Sequence, residues 1–253
     1  MQAQARKQRI HLLDELRGFA VVCMVFYHAF YSMADIFGME LGRTLLNFFM
    51  PAEPFFAGLF ILISGIASRL TRSNVKRGAK LLIVAVLLTA ATLLLTLFGI
   101  NQVIWFGILH MLAVSMLAFA LLQPLCDKIH PGVGMAVCAV LFLITMHIGE
   151  GYLGFSFARL NIPQALIDLP FLFPVGIHNS LFSSADYFPV FPWIFVFFFG
   201  AFLGVYARDG KFPKCFYRSH IRAFSVVGRY ALPIYIVHQP VIFGVMELIS
   251  LLA

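Results

Sequence analysis

Three histidines stand inside apolar runs: His28 in LRGFAVVCMVFYH, His110 in WFGILHML and His238 in GRYALPIYIVHQPV. Imidazole titrates near neutrality, so it can take a proton and return it within one reaction cycle. Inside an apolar run it must find a partner or line a cavity, and at membrane depth an ionisable side chain marks a candidate functional site. Arg17 precedes His28 by ten intervening residues. On a helix, eleven steps return close to the starting face about 16 Å further along. One stripe would then carry a guanidinium near a membrane surface and an imidazole near the middle. An imidazole held in oil suits general-base or nucleophilic chemistry, with Arg17 about 16 Å away on the same stripe.

A second set of residues is basic. SRLTRSNVKRGAK holds five lysines and arginines, Arg69, Arg72, Lys76, Arg77 and Lys80. If Arg69 and Arg72 lie on a helix, their spacing of three puts them on one face, where two guanidiniums form a fork suited to phosphate oxygens. Lys76 and Arg77 would extend that patch. Two readings stay open: an anchor against anionic lipid, and a site for a phosphate-bearing ligand entering from the cytoplasm. The third set is SADYFPVFPW, where Asp186 is the one acid at the mouth of a later apolar run. It marks the interface beside Tyr187 and Trp193, or it contacts an acceptor or orients a histidine. His147 and His178 read as ordinary polar residues. Asp14 and Glu15 open the first run, where acids favour a helix N-terminus.

The elements that must position these groups follow from composition. Of 253 residues, 61% are hydrophobic and 11% charged, against about 25% charged in soluble domains. The apolar runs are long and unbroken rather than alternating, which points to helices and against a β-barrel. The expected fold is all-α: a polytopic transmembrane bundle of about seven spans near 18–37, 54–70, 80–100, 103–124, 132–149, 188–207 and 229–252, read as a single domain over 1–253. Pro163, Pro170 and Pro174 break the apolar stretch near 160–178, so an interfacial or re-entrant segment is expected there. Measured from these span ends, His28, His110 and His238 all fall in the middle third of a core about 30 Å thick. A shared polar cavity would account for all three; for each alone, a hydrogen-bonded helix contact is the plainer reading.

Sidedness comes from charge. With the N-terminus inside, 16 of the 18 lysines and arginines lie in or beside inside segments, and only Arg43 and Arg159 are outside. The bias supports N-inside, C-outside, with 150–187 extracytoplasmic. The opening MQAQARKQR resembles the basic start of a signal peptide, but the run behind it is long and no small-residue cleavage site follows, so a retained first span is expected. The net charge of +7 is spread over short loops between spans, which excludes a nucleic-acid surface. Cys23, Cys126, Cys138 and Cys215 show no CxxC pairing; they read as free thiols, and no metal site is expected.

Arg17 and His28 also resemble the R-x10-H pattern of membrane acyltransferases that O-acetylate bacterial glycans, and Arg69 with Arg72 resembles their RxxR pattern. More of the chain is similar to the heparan-alpha-glucosaminide N-acetyltransferase catalytic domain family. The similar segments are LDELRGFAVVCMVFYH, FILISGIASRL, WFGILHML, ADYFPVFPW and GRYALPIYIVHQPV, in order from residue 13 to residue 241. The resemblance implies a bacterial inner-membrane enzyme that takes an acetyl group from cytoplasmic acetyl-CoA and passes it to an amine or hydroxyl of a glycan or similar acceptor on the far side. It implies that Arg69 and Arg72, with Arg17, Lys76 and Arg77 beside them, meet the phosphates of acetyl-CoA. His28 becomes the catalytic histidine, with Asp186, His110 and His238 as further catalytic candidates. One departure stands out. The family's proposed catalytic histidine lies in the loop after the first span, and here that loop, GMELGRTLLNFFMPAEP, has none. Either His28 takes over the role or the chemistry differs.

Direct transfer with His28 as base and a two-step route through an acetylated His28 are both open at this point. Tyr27, His110, His238 and Gln239 are candidate donors to the oxyanion. A transporter or flippase is the rival class. It predicts discontinuous helices and paired midplane carboxylates, and no aspartate or glutamate is central in the expected spans. A scaffold subunit would need neither central histidines nor the RxxR fork. Membrane lipid is an expected partner, and a homodimer is compatible with the sequence.

Overall fold

In the computed structural model of the chain, residues 9–252 are described, and they are mostly helical. Arg6 and Lys7, counted above in the inside charge, lie outside the described residues. Seven helical stretches are long and apolar enough to cross a membrane: His11–Ile36, Glu40–Ser68, Asn74–Phe98, Ile108–Cys126, Pro131–Glu150, Val190–Arg208 and Ala231–Leu252. Their outward faces are oily. Leu87 and Leu94 on the third are each more than half exposed, as a lipid-facing surface requires. The chain is an integral membrane protein with the all-α architecture expected.

The chain forms two compact units, one built from its two ends, up to Ile63 and from Phe212, and the other from Ser64–Lys211. In the first unit α1 (His11–Tyr31) passes into a five-residue π-helical turn, Ser32–Ile36. It is followed by α2 (Glu40–Phe49), a short 3-10 turn around Pro51, and α3 (Glu53–Ser68), whose last turn belongs to the second unit. The loop expected after the first span is thus largely helical: Pro51 and Pro54 sit at first-turn positions, where a missing N–H costs nothing. The chain returns through α9 (Arg222–Arg229) and α10 (Ala231–Leu252). Contacts step along α1 and α10 in the same order, His28 with His238, Ser32 with Gln239 and Phe37 with Phe243. The first and last spans therefore run parallel, as an odd number of spans demands.

Small residues set a close crossing of α1 and α9. A Cβ on Gly18 of α1 would lie 2.0 Å from the carbonyl oxygen of Phe224 in α9, and one on Gly228 would lie 1.9 Å from that of Asp14. The two glycines let the backbones touch where any Cβ would collide.

The second unit pairs α4 (Asn74–Leu95) with α5 (Ile108–Cys126), antiparallel, and α6 (Pro131–Thr145) with α8 (Val190–Arg208), also antiparallel. Phe119 and Phe197, both fully buried, join α5 to α8. Between α6 and α8 lies a segment with a two-stranded hairpin, β1 (Tyr152–Phe155) and β2 (Ala158–Asn161), which the sequence reading did not anticipate. The one-turn helix α7 (Gln164–Ile167) and a 3-10 turn at Phe173–Val175 follow. The prolines leave no helix there long enough to span.

Candidate active site

In the first unit α1 is continuous from His11 to Tyr31, so Arg17 and His28 lie on one stripe about 16 Å apart by helix geometry. Asp14 accepts from both Arg9 and Arg17, at 2.7 and 3.2 Å. Asp14 lies in the first turn of α1, where helix-start stabilisation was expected of at least one of the two acids, and Glu15 beside it makes other contacts. Glu15 is buried, and its carboxylate accepts from the Ser219 hydroxyl and the His220 backbone N–H, both at 2.8 Å, clasping the chain ahead of α9.

Eleven residues up the stripe, two of the three expected histidines meet. Nδ1 of His28 lies 2.9 Å from Nε2 of His238, and Nδ1 of His238 lies 2.6 Å from the Tyr235 carbonyl oxygen. His238 and Tyr235 are buried. Tyr27 packs edge-on against His28 and against Phe56 of α3. One turn beyond, the Ser32 hydroxyl donates to Oε1 of Gln239 at 3.4 Å. By helix rise, His28 lies about 16 Å along α1 from Arg17, and His238 about 10 Å along α10 from Ala231.

His110 sits differently. α5 begins at Ile108, five residues later than the expected span, so His110 occupies its first turn rather than the middle third of the core. Its Nδ1 accepts from the Gly107 N–H at 3.2 Å, which places the ring proton on Nε2, 3.3 Å from the Thr89 hydroxyl. Thr89 in turn donates to the Ile104 carbonyl at 2.7 Å. Asp186 serves the same helix start. Its Oδ2 accepts from the Ile108 N–H at 3.2 Å, and the Gly107 and Tyr187 backbones pair as a bridge. Helix N-termini leave orphan N–H groups, and here an acid and an imidazole take two of them. A Cβ on Gly107 would meet Asp186 Oδ2 at 2.5 Å, so the WFG glycine makes room for the cap. Asp186 itself holds a positive φ of 49°, which Asp tolerates better than most residues. Tyr187, expected in an aromatic belt, is half-buried and donates to the Phe173 carbonyl at 2.6 Å; burial raises its pKa above the ordinary phenol value.

The basic set is corrected in one respect: Arg69 and Arg72 do not share a helix face. α3 ends at Ser68, whose hydroxyl bonds back to Gly65, and α4 starts at Asn74 behind a Ser73 N-cap. The five residues between form a turn. Arg69 points into the protein, with its side chain 1% exposed. Its Nε donates to the Ala201 carbonyl at 3.0 Å, its Nη1 to Asp127, and the guanidinium lies 4.8 Å over the Phe119 ring, while Nη2 is buried without a partner. Arg72, Lys76 and Arg77 are exposed around the start of α4. Asp127 was missed by the sequence reading; its signal was that it is the one acid in the short segment after α5.

A polar hollow of about 340 Å³ lies in the 149–181 region of the second unit, lined by Glu150, Gln164, Asp168, His178, Asn179 and Ser180 among others. The four cysteines are free. Among the described residues no group of three or more His, Cys, Asp or Glu is placed to hold a metal ion.

The sequence profile described as "Heparan-alpha-glucosaminide N-acetyltransferase, catalytic" matches residues 9–240. No curated protein and no solved structure matches the chain.

Proposed function

The chain belongs to the heparan-alpha-glucosaminide N-acetyltransferase catalytic family, and on that premise we propose that it moves an acetyl group from cytoplasmic acetyl-CoA to an amine or hydroxyl of a glycan or similar acceptor on the extracytoplasmic side of a bacterial inner membrane, as a single membrane acyltransferase domain. The observation that carries this reading is the His28–His238 contact on α1 and α10, a proton-accepting pair inside an apolar bundle, above an arginine on the same α1 stripe.

In this reading His28 is the general base. It removes the proton from the acceptor as the acceptor's oxygen or nitrogen attacks the thioester carbonyl. The C–S bond breaks, and the coenzyme A thiolate leaves and takes the proton from His28. Gln239 supplies amide N–H donors to the carbonyl oxygen as it gains charge. Arg17 meets the charged end of the donor while its thioester arm extends along α1. Arg72, Lys76 and Arg77, exposed at the start of α4 in the second unit, are a separate set of cations suited to phosphate, favoured also by the positive end of that helix. Arg69 holds the turn that presents them. His110 and Asp186 hold the start of α5.

The test is release of free coenzyme A thiol from acetyl-CoA by the purified protein in nanodiscs supplied with glycan fractions from bacterial envelopes. The proposal expects acceptor-dependent thiol release that disappears in His28→Ala. Uptake or flipping of a labelled glycan lipid without thiol release would make the protein a transporter instead.

A further inference from the structure

Resting on the acyltransferase reading, we propose that His238 is the positioning residue of His28: it accepts the Nδ1 proton of His28 and so leaves Nε2 of His28, with its lone pair, as the base. The Tyr235 carbonyl has no choice of role in its contact with His238. A carbonyl oxygen only accepts, so the 2.6 Å contact between Tyr235 O and Nδ1 of His238 puts a proton on that nitrogen. A neutral imidazole carries one N–H. Nε2 of His238 therefore presents a lone pair, and the 2.9 Å contact to His28 is made only if His28 Nδ1 is the donor. The same logic passes on to His28, whose single proton is then committed to Nδ1.

This assigns His238 a role other than oxyanion donor. Its Nε2 is an acceptor already in use, and its Nδ1 proton is spent on the backbone of its own helix. When His28 Nε2 takes the acceptor's proton, the ring becomes an imidazolium. Its Nδ1–H bond to His238 then becomes charge-assisted and stronger. As the new acyl bond forms and the C–S bond breaks, the proton on Nε2 passes to the departing thiolate, and the pair returns to its starting state. The arrangement does for His28 what a carboxylate does for the histidine of a serine-protease triad, with a neutral acceptor that is cheaper to keep in an apolar bundle than an anion. Burial of His238 and Tyr235 keeps water from competing for these bonds.

The tautomer is read directly in ¹⁵N-histidine-labelled protein in nanodiscs, with the His28 ring signals identified by their loss in His28→Asn. The carbonyl of Met24, one turn earlier on α1, also hydrogen-bonds His28, so the comparison with His238 variants isolates the contribution of His238. The proposal expects an Nδ1–H, Nε2-lone-pair ring in the wild type and a mixture of tautomers in His238→Ala. It expects the wild-type pattern again in His238→Gln, whose amide oxygen can accept in place of Nε2. In thiol release it expects kcat to fall about 100-fold or more in His238→Ala, with binding of acetyl-CoA unchanged and partial recovery in His238→Gln. An Nε2–H ring in the wild type, or a His28 tautomer that ignores the loss of His238, overturns it. The spectra need no substrate, so they stand even if acetyl-CoA fails to bind, which would instead remove the acyltransferase reading.

Discussion

His28 lies on α1 and Arg69 in the turn after α3, and they invite different experiments. His28 is half-buried, with Nε2 uncommitted once Nδ1 donates to His238. His28→Ala is expected to lower acetyl transfer by about 10²–10⁴-fold, the usual worth of a positioned base, and to leave the melting temperature within a few degrees of wild type. Arg69 is enclosed and paired. Asp127→Ala strands its guanidinium in the protein. Breaking a buried pair costs about 3–5 kcal/mol, and because Asp127 is 45% exposed we expect about 2 kcal/mol, read as a lower melting temperature in detergent. Asp127→Asn, which keeps an acceptor for Nη1, is expected to lose less. At this scale the histidines in oil were legible because apolar runs make a polar residue conspicuous. The partners were not. Asp127 and Thr89 are ordinary at their own positions, and only the fold brings them to Arg69 and His110.

Helices were easy to find and their ends were not. All seven spans appear where hydropathy puts them, but α1 begins seven residues early, because HLLDELR is amphipathic and helical without being oily, and α5 begins five residues late. The second error moved His110 from mid-span to a first turn. The hairpin at Tyr152–Asn161 escaped because its strands are only four residues each and mostly exposed, too short for alternation to speak. The glycines in RGFA and GRYA carry a prediction of their own. Gly18→Ala and Gly228→Ala each force α1 and α9 apart, at about 1–3 kcal/mol. Both substitutions relieve themselves by the same separation, so the double variant is expected to lose clearly less than the sum of the two, in a thermal double-mutant cycle. Additive losses would mean that the helices do not move as units.

For the whole molecule, the parallel course of α1 and α10 fits an odd number of crossings, and the lysine and arginine bias gives the direction. Exposed Cys215 should then face the cytoplasm, and exposed Phe157 at the hairpin tip the outside. In intact cells a membrane-impermeant maleimide is expected to spare Cys215 and to label a Phe157→Cys, Cys215→Ser variant; the reverse pattern would invert the topology. Such a layout puts the exposed cations around the start of α4 on the side where acetyl-CoA is made. The central claim is that this protein takes its acyl group from that donor, and it is tested most directly by titrating acetyl-CoA into the purified protein in detergent, wild type beside Arg72→Ala/Lys76→Ala/Arg77→Ala. The account predicts saturable binding in the micromolar range typical of enzyme substrates, about 1–100 µM, weakened at least tenfold in the triple variant. No binding to a folded wild-type protein would contradict it.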